Sequence, residues 1–241
     1  MKPSVVIIGY GRFGKIFASI LKKKCNVFIV ERKNNIILER GIKRIAVEDI
    51  GDKEYIFLAV PINKIPDILR EIAAYISPQT IVCDVCSVKE QPILWMKKYL
   101  PSTISIIGTH PLFGPDSVTL AKNICISTAR ISKNKLNEFL LLLKKVRLIP
   151  ITITAPKHDK LMAQSLFVTQ FIGRSIATAR LLSNKNVTKN SAMLNHIAYA
   201  SNNDSMELFR DMYRYNRFAK EIPEKIIASM QNLKKLLQNK K

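Results

Sequence analysis

The sequence predicts an α/β fold: a mainly parallel sheet covered by helices, followed by a smaller all-helical domain. Three observations predict it. Through residues 1–155, short runs rich in Val and Ile alternate with segments whose apolar residues recur at helical spacing. Parallel strands joined by helical crossovers produce that alternation. A glycine-rich turn stands between the first apolar run and the first helical segment, and from Pro156 onward almost every segment reads as helix. The expected domains are therefore 1–155 and 156–241.

The elements follow in order. Residues 5–9 read as a buried strand and 13–21 as the helix after it. Residues 26–31 give a second strand, 44–47 a third, and 55–60 a fourth that Pro61 closes. Helical spacing returns at 65–76. Residues 80–85 and 105–107 are the fifth and sixth strands, and strands at 124–128 and 148–154 flank a helix over 133–146. Beyond these, 158–182 is a long helix, apolar on one face, and 184–189 is a polar break. Residues 191–200 are helical, and Asp204 precedes a helical stretch to about residue 237 that Pro223 is expected to kink.

With 241 residues, 47% of them hydrophobic, the chain can bury one good core and a second smaller one. Lys and Arg number 39 against 18 Asp and Glu, a formal net charge of +21. The basic residues are spread out; the densest runs are Lys22, Lys23, Lys24 and the tail Lys234, Lys235, Lys240, Lys241. No aromatic-interleaved basic stripe is present, so specific nucleic-acid binding is not expected, whereas a positive field suits anionic small molecules. Cys25, Cys83, Cys86 and Cys125 sit in apolar contexts that suggest reduced, buried thiols. Cys83 and Cys86 have redox-motif spacing but fall in a strand and its outflow, and no second pair completes a zinc site, so no metal is expected. No segment resembles a signal peptide or approaches membrane-spanning length, which predicts a cytoplasmic protein without a membrane partner.

Gly9-Tyr10-Gly11-Arg12-Phe13-Gly14 satisfies G-x-G-x-x-G with a β-branched strand before it and a helix after it. Gly9 permits the tight turn, Gly11 lets backbone approach a pyrophosphate, and Gly14 brings helix close to strand. The helix start then offers unpaired N–H groups to phosphate. This is the dinucleotide-binding fingerprint of a Rossmann-like domain. Glu31, at the end of the second strand, can accept both ribose hydroxyls and favours NAD. Arg32 and Lys33 follow it and could hold the extra phosphate of NADP, so both cofactors stay open, with NAD the better match. Val60 and Pro61 end the fourth strand, where backbone borders the ribose.

Ligands of open α/β sheets lie beyond the carboxyl ends of the strands. Two segments leave such ends: Asp84-Val85-Cys86-Ser87-Val88-Lys89, and Gly108-Thr109-His110-Pro111-Leu112-Phe113-Gly114-Pro115-Asp116-Ser117. With the upstream glycine turn, these segments resemble the prephenate/arogenate dehydrogenase family of tyrosine biosynthesis. His158-Asp159 and the helix after it resemble that family too, and residues 204–216 resemble its arogenate branch. The likeness covers nearly the whole chain.

The resemblance implies oxidative decarboxylation of arogenate or prephenate: hydride leaves C4 for the nicotinamide, CO2 leaves C1, and the ring becomes aromatic. It implies that His110 takes the C4 hydroxyl proton and that Ser87 hydrogen-bonds near histidine, hydroxyl and nicotinamide. Imidazole suits the first role, being mostly neutral near pH 7 with an ordinary pKa of about 6.5. Read without the resemblance, Ser87 is a turn or helix-cap residue, Lys89 a helix start, His158 a cap or interdomain contact, and His196 an ordinary helix residue.

The chain also departs from the family pattern. Where many members carry a second, substrate-contacting histidine, Gln170 stands, which can hydrogen-bond but cannot become cationic. The arginine that prephenate-using members tend to carry is missing from Ala198-Tyr199-Ala200-Ser201-Asn202. Arg174, or the series Arg210, Arg214 and Arg217, could supply the charge, although that series also reads as a solvated face. Asp204 would suit an ammonium and hence arogenate. A homodimer is the expected assembly. The alternatives are another Rossmann hydroxy-acid dehydrogenase, which would leave the His110 segment unexplained, and a non-enzymatic nucleotide- or nucleic-acid-binding protein.

Overall fold

The computed structural model describes residues 1–33, 35–115, 122–181 and 188–238. Asp116 and Ser117 of the histidine segment, most of the polar break at 184–189, and Lys240 and Lys241 lie outside the described residues. The chain divides into two compact units, Met1–His158 and Asp159–Lys241.

Unit 1 is built on an eight-stranded sheet in the order β3-β2-β1-β4-β5-β6-β7-β8. The strands are β1 (Ser4–Ile8), β2 (Asn26–Val30), β3 (Ile42–Arg44), β4 (Tyr55–Leu58), β5 (Ile81–Asp84), β6 (Ser105–Pro111), β7 (Asn123–Arg130) and β8 (Ile149–Thr152). The first six pair in parallel and follow the doubly wound order 3-2-1-4-5-6. β7 runs antiparallel to β6, and β8 parallel to β7. β4 and β5 are buried at every position, as strands covered on both faces must be.

Helices α1 (Arg12–Leu21), α2 (Ile65–Ile72), α3 (Glu90–Tyr99) and α4 (Lys133–Lys145) are the crossovers and edge helix of this unit. Phe17 of α1, Phe57 of β4 and Phe139 of α4 are fully buried in one core, with ring centroids 5.0 Å apart for Phe17–Phe57 and 6.2 Å for Phe57–Phe139. Each such ring stabilises the fold by about 1.5–3 kcal/mol through burial alone.

Three sequence expectations shift here. The third strand lies at Ile42–Arg44, and Val47–Ile50 is a 3-10 turn instead of strand. The strand expected at 105–107 continues to Pro111, because β7 supplies partners from Ile106 through Pro111, including Cys125 opposite His110. The helix over Glu90–Tyr99, of which the sequence marked only the start at Lys89, carries Pro92 in its first turn, where a missing N–H costs nothing.

Helix α5 (Ala155–Met162) begins in the last residues of unit 1, through His158. Unit 2 is helical: after Met162 the chain passes through a π turn at Ala163–Phe167 into α6 (Val168–Thr178). Helix α7 (Lys189–Asn203) opens with a reciprocal cap between Thr188 and Ser191, and α8 (Met206–Tyr215) with Ser205 accepting from the Leu208 amide. Helix α9 (Ile222–Gln238) contains Pro223 in its first turn, so this proline starts a separate helix and kinks none. The core is a stack of rings: Phe167 lies 5.5 Å from Phe209 and 5.9 Å from Tyr213. Gly173 lets α6 approach α7, since a Cβ there would lie 2.9 Å from the Ile197 carbonyl.

Candidate active site

The glycine turn sits where the strand order reverses between β1 and β4. The Gly9 amide donates to Val30 O of β2, and the Ala59 amide donates to Ile8 O of β1. Gly9 has φ +98°, and a Cβ there would lie 2.5 Å from the Ala59 carbonyl. Only glycine fits that turn. Val60 borders it, with Cγ1 3.1 Å from the same point, while Pro61 is exposed and opens the turn Ile62–Lys64. Around Gly11, by contrast, a Cβ would meet nothing within 4 Å. Gly11 is also the N-cap of α1, which has no side-chain cap and no acidic residue in its first turn. The start of α1 thus has no side-chain cap and open space at Gly11, two features a pyrophosphate cradle requires. Arg12 is exposed at the start of α1, and Phe13 stacks on Phe17 at 5.5 Å and meets Phe113 of the histidine segment at a tilt, 6.1 Å between centroids.

Glu31 follows β2. Its carboxylate accepts from the Tyr10 amide at 2.9 Å and the Lys33 amide at 3.1 Å. Burial works to raise its pKa, but these amide bonds outweigh it and hold the carboxyl below its ordinary value. An anionic acceptor thus lies against the turn. Arg32 is exposed and paired to Glu71 at 2.6 Å.

The ends of β5 and β6 carry a dry polar network. Asp84, Lys89 and Thr109 are fully buried. Lys89 Nζ pairs with Asp84 and donates to the Thr109 carbonyl at 2.5 Å. Asp84 also accepts from the Cys86 and Thr109 amides at 3.0 and 3.3 Å, and Thr109 Oγ1 donates to the Asp84 carbonyl. Burial pushes the Asp84 carboxyl up, opposed by the ammonium and the amides. Gly108 makes room for the lysine stem; a Cβ there would lie 3.2 Å from Lys89 Cδ. The sequence offered Lys89 only as a helix start. The structure makes it the N-cap residue of α3 with no side-chain capping bond, its side chain turned into this network. The signal was an Asp at a strand end followed by a lysine five residues on.

His110 and Ser87 stand next to that network, at the carboxyl ends of the neighbouring strands β6 and β5. Ser87 Oγ is buried and has no hydrogen-bond partner among the described residues. It caps no helix. His110 is 8% exposed, and its Nδ1 lies 2.9 Å from Nε2 of His158, which is fully buried in the first turn of α5. Burial, then His158 and Lys89, hold the His110 pKa well below the ordinary imidazole value. Burial, with Lys89 adding to it, holds that of His158 down to about 3. Both rings are therefore neutral near pH 7.

In unit 2, Gln170, Arg174 and Asp204 form one cluster. Gln170 Nε2 donates to Asp204 at 2.7 Å, and Arg174 Nε donates to Gln170 Oε1 at 3.1 Å. Arg174 also donates to the Asp204 carbonyl at 2.7 Å, and its guanidinium lies 5.1 Å from the Phe209 ring centroid. Arg214 is exposed beside Tyr215 and takes no part in these bonds among the described residues, and Arg210, Arg217 and His196 are exposed as well. Among the described residues no group of His, Cys, Asp or Glu is arranged to hold a metal ion, and no helix is long and apolar enough to cross a membrane.

A family model for the nucleotide-binding domain of prephenate dehydrogenase matches residues 17–125, and one described as TYRAAT1-like, C-terminal domain, matches 176–241. Arogenate dehydrogenase 1, chloroplastic, of Arabidopsis thaliana is 26% identical over 97% of this chain. A probable arogenate/prephenate dehydrogenase of Methanocaldococcus jannaschii is 28% identical over 98% of it. The chain is thus similar to prephenate and arogenate dehydrogenases along nearly its whole length. It spans 39% of the Arabidopsis relative's length and 56% of the archaeal one's. The fold is that of solved family structures. Prephenate dehydrogenase of A. aeolicus, in complex with hydroxyphenyl propionate and NAD+, superposes with a TM-score of 0.77 at 16% identity, covering 98% of this chain and 91% of that one. Synechocystis arogenate dehydrogenase gives 0.72 at 18%, covering 98% and 92%. Glu31 lies within the residues that the nucleotide-binding model matches and the glycine turn lies just before them, and the open space around Gly11 with the uncapped start of α1 fits NAD.

Proposed function

We propose that this chain catalyses NAD(P)-dependent oxidative decarboxylation of arogenate or prephenate, with His110 accepting the proton of the C4 hydroxyl. The observation that carries the proposal is a buried imidazole, His110, at the same carboxyl edge of the sheet as an open dinucleotide turn. Gly9, Gly11, Gly14, the opening amides of α1, Arg12 and Phe13 would hold the pyrophosphate side of the cofactor, and Glu31, Val60 and Pro61 its ribose side. The bound nicotinamide would supply the acceptor for the C4 hydride. A carboxylate at position 31 and the engagement of Arg32 by Glu71 favour NAD over NADP.

His110 holds a lone pair ready for the hydroxyl proton, and Ser87 Oγ, buried with an unused hydrogen-bonding valence, orients the same hydroxyl. The keto group created at C4 then takes up the electron pair released with CO2, so no metal is required. Gln170, Arg174, Asp204 and Arg214 are the proposed substrate side. Asp204 supports arogenate, whose side chain carries an ammonium. Arg174, its donors engaged, serves by holding Gln170 and Asp204 in place. We further propose a cytoplasmic homodimer whose surface includes α9.

The test is absorbance of reduced cofactor with arogenate and prephenate against NAD and NADP. His110→Asn should lower kcat by roughly 10²–10⁴ with little change in KM. Turnover near the parent level in that variant rejects the assignment of the base.

A further inference from the structure

His158 takes no direct part in the proposed reaction. Its backbone amide is already served by Thr154 O at 2.9 Å, so its ring is not needed to open the helix. The ring instead meets His110 edge to face, with centroids 5.1 Å apart, planes at 78° and the two nitrogens 2.9 Å apart. Two ring nitrogens at that distance share a single hydrogen, so one ring presents N–H and the other a lone pair.

The two ways of satisfying this pair differ in chemical consequence. If His158 donates, His110 Nδ1 is the acceptor and its proton sits on Nε2. The ring then offers substrate a donor and cannot take a proton there. If His110 Nδ1 donates, its Nε2 keeps the lone pair, and His158 carries its own proton on Nδ1. We propose that His158 is a positioning residue that locks His110 in the Nδ1–H tautomer, through an Nδ1–H···Nε2 bond between two imidazoles. This rests on the reading of His110 as the base.

The charged and titratable neighbours suit a neutral acceptor. Lys89 at the start of α3 acts on both rings with a positive potential, Asp84 of β5 is occupied by that lysine, and Cys125 of β7 lies across the strand pair from His110. A carboxylate in the place of His158 would draw a proton onto His110 before substrate arrives. A neutral lone pair orients the ring without doing so. After the transfer, the imidazolium still donates Nδ1–H to His158, so the bond persists through the reaction.

The decisive measurement is the tautomer itself, read from multiple-bond ¹⁵N–¹H correlation spectra of the full chain labelled at histidine. The chain has three histidines, and His196 is exposed, so single substitutions assign the signals. At pH 7 the parent should show His110 protonated on Nδ1. In His158→Phe that preference should be lost, with kcat down roughly 10–10²-fold and KM little changed. His158→Gln, whose amide oxygen can accept where Nε2 stood, should recover most of both. An Nε2–H tautomer of His110 in the parent overturns the proposal, and so does an Nδ1–H tautomer that persists in His158→Phe. If the Phe variant does not fold, the parent spectrum and the Gln variant still decide. Failure of the base assignment would appear separately, as retained turnover in His110→Asn with the tautomer result unchanged.

Discussion

Two imidazoles lie in the dry interior where β6 ends, and their cost in free energy depends on pH. In the unfolded chain each titrates near its ordinary pKa of about 6.5. In the folded chain His110 titrates well below that and His158 at about 3, because burial disfavours their charged forms. Between these values the unfolded state binds more protons, so stability is complete above pH 6.5 and declines as pH falls. Each ring contributes a slope of up to about 1.4 kcal/mol per pH unit. His158→Gln removes one of the two titrations. Urea midpoints measured from pH 7 to pH 5 should therefore fall less steeply in that variant, and an unchanged slope would reject this account. At this scale the sequence offered His110, Ser87 and Glu31 as candidates, each placed just beyond a strand expected from the residue pattern. It did not disclose the His110–His158 bond. The two residues are 48 positions apart, and no local pattern ties a strand end to a helix start at that distance.

At the scale of elements, one buried ion pair fastens three pieces together. Lys89 joins the end of β5 through Asp84, the start of α3 through its own backbone, and β6 through the Thr109 carbonyl. Lys89→Met leaves a buried carboxylate uncompensated and should destabilise the fold by about 3–5 kcal/mol, with Asp84→Asn in the same chain restoring part of the loss. Urea unfolding measures both, and a single variant within the error of the parent would show that the pair is dispensable. Strands β1, β4 and β5 were legible because burial on both faces leaves continuous apolar runs. The far half of β6 was not, since Gly108 and Pro111 read as loop and only pairing with β7 makes them strand. Helix α3 was obscured by Pro92 and by a mixture of Trp95, Met96, Lys97 and Lys98 that carries little periodicity.

For the whole molecule, the unresolved cost is exposed apolar surface. Helix α9 has no buried residue, yet Ile227, Met230, Leu233, Leu236 and Leu237 are all exposed, and so are Met193 and Tyr199 of α7. Surface of this kind marks an interaction site, and a second copy of the chain is the proposed cover. Sedimentation velocity at micromolar concentration should give a dimer, and Met230→Glu with Leu233→Glu should shift it to monomer. A monomeric parent would remove the proposal. Composition alone suggested two parts to the chain, through the change of character near Pro156. It gave no sign of which helix would be left uncovered, because the apolar stripe of α9 looks like any core-facing stripe until its neighbours are known.

The π turn at Ala163–Phe167 has a consequence for comparing this chain with its relatives. Such a turn absorbs one surplus residue while the helix on either side keeps its hydrogen bonds. Deleting that residue would leave the downstream side chains facing as they do now, each one number lower. A relative lacking the surplus residue therefore carries its counterparts of Gln170 and Arg174 one step nearer the His-Asp pair. A fixed-distance count from that pair would then select a side chain rotated by about 100°, and substrate preference would be assigned to the wrong amino acid.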